Sequence, residues 1–185
     1  MKISNVNKPG FFIMAVFSIA VTSCKKSTTL VKVTVPVQMA QIAFAIPPSQ
    51  TVSDTTVTVY CNVDSIIKAD NPSFNGTNIK SVAAIAANIS LSNADNTDNF
   101  GNFNSAEMQI SSTENAAATT FAQVTNNPAS YADVLNLPVT PSIELKNYFD
   151  ATLFTFTFRS SLISPTFVAL NATATINFNV VVGPN

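Results

Sequence analysis

The sequence predicts an all-β protein, a single antiparallel β-sandwich with at most short helical turns. Three observations carry that expectation. Apolar residues recur with period two in one segment after another from Leu30 onward, the mark of half-buried strands. No stretch shows the spacing of a long amphipathic helix. Charge is also scarce: 10% of the 185 residues are Asp, Glu, Lys or Arg, against 46% hydrophobic. Solubility then rests on Asn, Ser and Thr, which suit the wet faces of strands better than helices stitched by Glu–Lys pairs.

The elements follow in order. "LVKVTVPV" puts Val31, Val33, Val35 and Val37 on one face, and Lys32 and Pro36 mark it as an edge strand. "QIAFAI" alternates Ile42, Phe44 and Ile46 with alanines and stops at Pro47-Pro48. "TTVTVYCNV" places Val57, Val59, Cys61 and Val63 together, so Cys61 reads as a small buried hydrophobe. A helical turn is expected after Asp64, in a turn-rich segment that leads into the long alternation of "IKSVAAIAANISLS". "EMQIS", "TTFAQVT" and "VLNLPV" are short strands, and "IELKNYF" is a short helix or wide turn. "LFTFTFR" aligns Phe154, Phe156 and Phe158. "ATATINFNVVV" aligns Ala174, Ile176, Phe178, Val180 and Val182. These last two are expected to pair as the central antiparallel strands. Roughly eight to ten strands without a long helix read as an immunoglobulin-like sandwich.

The first segment has a different character. Lys2 and Lys8 precede the apolar run "FFIMAVFSIAV", Phe11 to Val21, whose length suits the core of a signal peptide and falls short of a membrane span. Val21-Thr22-Ser23-Cys24 then resembles the lipobox of bacterial lipoproteins processed by signal peptidase II. The resemblance implies cleavage before Cys24, a diacylglyceryl group on its sulfur and acylation of the freed amine. Two or more acyl chains hold a protein stably where one holds it marginally. The expected organisation is a leader at 1–23, a lipidated tether at 24–29 and one β-sandwich domain at 30–185. With Cys24 lipidated, Cys61 has no partner for a disulfide. Lys25, standing where an Asp is associated with inner-membrane retention, points to the outer membrane. Lys25-Lys26, the reverse of an acidic surface-export tract, favours the periplasmic side over the cell surface. The order and texture of the mature chain resemble small cell-envelope lipoproteins of Bacteroidota-type bacteria. That resemblance implies a sandwich and an envelope location, and it brings no chemistry.

Loss of residues 1–23 leaves seven cationic side chains against ten acidic ones, net −3, with no basic stripe. Nucleic-acid binding, which draws on phosphate neutralisation, has no footprint. No His occurs, so Ser-His-Asp and Cys-His catalysis and His-based zinc sites are excluded. Phosphate-binding and zincin motifs are absent as well. Glu107 and Glu144 are acids that folding would have to bring together for glycoside chemistry, and nothing local nominates them. Asp95 and Asp98 in "NADNTDNFGN" offer oxygens of the kind Ca²⁺ takes, but Thr97 and Phe100 break the EF-hand pattern, and an Asx-rich turn is the expectation.

Three further features are candidates for function. Phe100 and Phe103 in "NFGNF" would either stack on a sugar or fold back to cap the open end of the sandwich. Tyr60, Tyr131 and Tyr148 are the other aromatic candidates for binding. Asp54-Thr55-Thr56 and Asp64-Ser65-Ile66 resemble the periplasmic O-glycosylation acceptor of the same bacterial group, making Thr55 and Ser65 candidate acceptors; Asp64-Ser65 also reads as a helix N-cap. The sequence therefore predicts a non-enzymatic, membrane-anchored envelope lipoprotein without cofactor. Its role is structural or protein-interacting, its partner an envelope protein; the alternative is a glycan-binding accessory module.

Overall fold

The computed structural model describes residues 31–185, apart from the side chain of Ala40. The leader, Cys24 and the tether lie outside the described residues. Eight strands form: β1 (Val33–Ile46), β2 (Val52–Tyr60), β3 (Ile79–Leu91), β4 (Phe103–Ser112), β5 (Thr119–Val124), β6 (Val134–Asn136), β7 (Leu153–Leu162) and β8 (Leu170–Val182). The one α-helix among the described residues, α1 (Val63–Asp70), follows β2. The strands make two four-stranded antiparallel sheets, ordered β1-β8-β3-β6 and β2-β7-β4-β5. The antiparallel sandwich is thus as the sequence predicts.

Its strand order is not the immunoglobulin one, where the first two strands are neighbours in one sheet. Here β1 and β2 lie in different sheets, the order of a jelly roll. Pro47-Pro48 lies in the connection that carries the chain from one sheet to the other. Only β4 and β5, of all consecutive strands, are hydrogen-bonded neighbours. The expected central pair is corrected for the same reason. β7 is flanked by β2 and β4, and β8 by β1 and β3, so each is central in its own sheet and the two apolar faces meet across the core. The apolar face of each strand has to be covered, and facing the other sheet across the core covers it.

Period two survives along β7 and β8, whose inward residues are buried from Phe154 to Ser160 and from Leu170 to Val182. It is interrupted in β1 and β3. The two segments expected as separate strands at 30–37 and 41–46 are one strand, β1, whose register shifts between Met39 and Ile42. Gln41 stands there at φ 61°, so that Val35, Val37 and Met39 point inward before it and Ile42 and Ile46 after it. Strand β1 is an edge, as Lys32 and Pro36 suggested. β3 shifts twice, between Ile79 and Ser81 and between Ala84 and Ala86, which buries Ala84 and Ala87 and turns Ile85 outward.

Phenylalanine rings bridge the sheets. Phe149 lies 5.0 Å from Phe178 of β8 and 5.2 Å from Phe154 of β7, and Phe121 of β5 touches Phe178 and Phe156 at 6.0 and 6.3 Å. Phe44, Phe158, Phe103 and Phe100 continue the series, with spacings of 5.9, 6.3 and 5.5 Å. "IELKNYF" forms a 3-10 turn, Lys146–Tyr148, that carries Phe149 into this interior. Tyr148 is buried and its hydroxyl donates to the Ala117 carbonyl at 2.8 Å. Cys61 is half-buried against the core, and burial pushes its thiol pKa up.

The bridging role of Phe178 makes it the test of this packing. Phe178→Ala is expected to cost about 3–5 kcal/mol in denaturant unfolding, the range for a buried Phe that leaves a cavity. Phe167→Ala, at an exposed ring, is expected to change stability by less than about 0.5 kcal/mol.

Candidate functional site

Four connections gather at one end of the sandwich, where β1 finishes and β8 begins: 47–51, 92–99, 125–133 and 163–169. This is the distal end; β1 starts at the other, proximal end, beside Val182. Asparagine and aspartate side chains build the distal end. Asp95 Oδ1 accepts from the N–H groups of Thr97 and Asp98 at 2.7 and 2.8 Å, an Asx turn. Those two N–H groups, Asp98 first, hold its carboxyl below the usual range. Asp98 is buried, and its Oδ1 accepts from Phe167 N–H at 2.5 Å. One oxygen of each carboxylate weighed as a calcium ligand is thus engaged by a separate stretch of backbone.

Asn99 and Asn102 flank the 3-10 turn Phe100–Asn102 as a reciprocal cap: Asn99 Oδ1 accepts from Gly101 N–H, and Asn102 Oδ1 from Asn99 N–H. The Asn102 amide then donates to Thr97 O, Ser164 Oγ and Pro165 O, all at 3.0 Å, tying two connections together. Asn127 ties in a third through Phe100 O at 2.8 Å and Phe103 O at 3.1 Å. An identical cap formed by Asn75 and Asn78 precedes β3. The N-x-x-N spacing in "NGTN" and "NFGN" was the sequence signal for these turns.

Phe100 and Phe103 are 0% and 1% exposed, which corrects their candidacy as a sugar platform. Their rings plug the distal end of the core because the cap at Asn99 turns the chain inward; the capping alternative is the one realised. The exposed aromatic and aliphatic side chains here are others: Phe167 at 65%, Tyr131 at 56%, Ile163 and Val168. Tyr131 and Ile163 border a recess of about 230 Å³, whose lining includes Asn96, Thr97, Ser130 and Ser164. Sequence reasoning noted Tyr131 but missed Ile163, Phe167 and Val168, since "ISPTFVA" carries no period that separates a strand from a loop. Phe167 is held outward by fixed backbone. Beside it, Thr166 is buried and exchanges hydrogen bonds with Ser49, at 3.0 Å through its hydroxyl and 2.9 Å through its N–H.

The remaining candidates lie elsewhere. Tyr60 is exposed at the end of β2, by the proximal end. Thr55 is half-buried, and its hydroxyl donates to Ala45 O at 3.0 Å, which ties it to β1. Ser65 is exposed on α1. The helix cap is Asn62, which accepts from Ser65 N–H at 3.0 Å, rather than Asp64-Ser65. Asp64 instead binds Gly76 N–H at 2.9 Å and Lys68 at 2.6 Å, and these two, in that order, lower its pKa. Glu107 lies on β4, beside Gln109 and Thr120. Glu144 caps the edge of β3, accepting from Val82 N–H at 2.8 Å. The two carboxylates thus serve different sheets. No helix among the described residues is long and apolar enough to cross a membrane.

Gly101 is where the distal end is tightest. A Cβ there would stand 2.4 Å from the Ser130 carbonyl oxygen and 2.8 Å from Asn99 Oδ1. Gly101→Ala is expected to destabilise by about 1–3 kcal/mol in thermal unfolding, and to raise proteolysis within 125–133 as the turn is pushed off its neighbour.

No protein-family description matches this chain, and no curated protein does. Among solved structures it is similar to Desmodium yellow mottle tymovirus at 9% identity and TM-score 0.32, over 97% of this chain and 98% of that one. A second likeness is to the structure of Turnip Yellow Mosaic Virus, at 7% identity and TM-score 0.29, over 85% of this chain and 96% of that one.

Proposed function

We propose that the protein is a lipid-anchored envelope lipoprotein that carries out no reaction and presents the distal end of its sandwich to another envelope component. The observation that carries this reading is the placement of the two ends. Strand β1 starts at the proximal end, and the exposed Tyr131, Ile163, Phe167 and Val168 lie at the other. A 14-residue strand spans roughly 45 Å. A lipid on Cys24, a few residues before β1, therefore puts the membrane at one end and the apolar loops at the far one. The lipobox resemblance and Lys25 favour the outer membrane, facing the periplasm. Grouped exposed apolar side chains are a mark of interaction sites.

A second reading, a glycan-binding accessory module, is favoured by the recess beside Tyr131. An exposed ring next to hydroxyl and amide side chains offers both a stacking face and hydrogen-bond partners.

Mass measurement of the membrane-extracted protein tests the anchor. The chain is expected to begin at Cys24 and carry acyl mass, and Cys24→Ser is expected to lose that mass and leave the membrane. An unmodified, soluble wild type would sink the anchored reading. Glycan-array binding that is lost in Tyr131→Ala would replace protein interaction with the second reading; no binding by the wild type would remove the second.

A further inference from the structure

We propose that the distal end docks a basic protein segment bearing apolar side chains. The inference rests on the reading that this end is the contacting one, and it names the chemistry of the partner. The four distal connections carry Asp95, Asp98 and Asp133 and contain no Lys or Arg. The lysines of the described residues stand at the opposite end. Lys32 precedes β1, Lys80 lies at the start of β3 near Gly183, Lys68 closes α1, and Lys146 lies in the turn beside Val82. Arg159, the only arginine in the chain, sits on β7 and is paired with Asp54 at 3.0 Å.

Two of the distal carboxylates are available. Asp133 is exposed, and its side chain makes no hydrogen bond or ion pair among the described residues. Asp95 is exposed, with one carboxylate oxygen engaged by its Asx turn and the other directed to no protein donor. Both stand around the same core of contacts: Asn99 donates to Asp95 O at 2.8 Å, and Ala132, next to Asp133, donates to Asn99 Oδ1 at 3.4 Å.

The apolar half of the surface is held in place rather than floppy. Phe167 is fixed by Asp98 and by the Thr166–Ser49 exchange, and Ile163 N–H donates to Asn102 O at 2.8 Å. A partner therefore meets side chains whose backbone ordering cost has already been met, the condition under which exposed aromatics act as anchors. Negative charge around such anchors attracts cations and repels anionic lipid, phosphate polymers and acidic proteins. A neutral glycan would use Tyr131 and the recess but would leave Phe167 and Val168 uncovered. A basic segment with apolar side chains matches both halves.

The test places a benzoylphenylalanine photocrosslinker at position 167 of the full-length protein in native envelopes, with position 60 at the opposite end as control. The expected adduct forms from position 167 and not 60, and the captured segment is protein of net positive charge. Its yield is expected to fall about threefold or more between 50 and 300 mM salt, as screening shortens the reach of the carboxylates. A similar fall is expected in Asp95→Asn/Asp133→Asn, which keeps the Asx-turn acceptor. A neutral or acidic segment, a salt-insensitive yield, an adduct to lipid or glycan, or no adduct above the control would overturn the inference. Membrane fractionation of the same samples separates the two claims. A soluble wild type with a salt-sensitive basic adduct defeats the anchor alone, and an anchored one with a salt-insensitive adduct defeats the partner chemistry alone.

Discussion

The structure depends on one requirement: the inner faces of β7 and β8 have to be buried against each other. Each carries an unbroken row of buried side chains, Phe154, Phe156 and Phe158 on one and Leu170 to Val182 on the other. Neither row is satisfied by a single sheet with a wet reverse side, so each strand recruits its own flanking strands and the two sheets close on one another. The polar reverse faces then look after themselves. Thr56 meets Thr157 and Thr58 meets Thr155 across β2 and β7, each hydroxyl pair at 3.1 Å. With 10% charged residues, such pairs replace the salt bridges that other surfaces use.

The same economy of charge explains the distal end. Connections that would otherwise need packing of their own are held by amide side chains that satisfy backbone groups, and Asn102 alone joins two of them. Polar residues are drawn inward there: Asp98, Asn99 and Asn102 are all buried. Apolar ones are pushed outward as a result. The inversion of the usual inside–outside rule is local and comes from hydrogen-bonding demand, since a buried carbonyl or N–H left unpaired costs more than an exposed ring.

Much of the fold was legible because alternation survives in single strands. Thr155, Thr157 and Arg159 opposite three phenylalanines defined β7 from sequence, and Pro36 and Lys32 placed β1 at an edge. Alternation fails where one residue is inserted. Gln41 carries no signal of the left-handed conformation it adopts, so β1 read as two strands, and the slip at Ala84–Ala86 hid that Ile85 faces out. Pairing was not legible either, because strands destined for opposite sheets have the same pattern as strands destined to be neighbours. For the site, composition pointed to the Asn-rich loop but named the wrong rings. Phe100 and Phe103 follow the capping asparagine and are carried inward by it, whereas Phe167 follows a buried threonine and is carried outward.

Strand β8 holds β1 and β3 together, although the three are far apart along the chain. Until residues 170–182 are present the first sheet has no middle, and β2 likewise waits for β7. A ribosome making this chain in order produces only two neighbouring strand pairs, β4 with β5 and the three-residue pairing of β3 with β6, before Leu153 emerges. Long-range pairing of this kind is slow and completes late. Strand order thus acts as a timer: the two sheets close only after nearly all of the chain has been made.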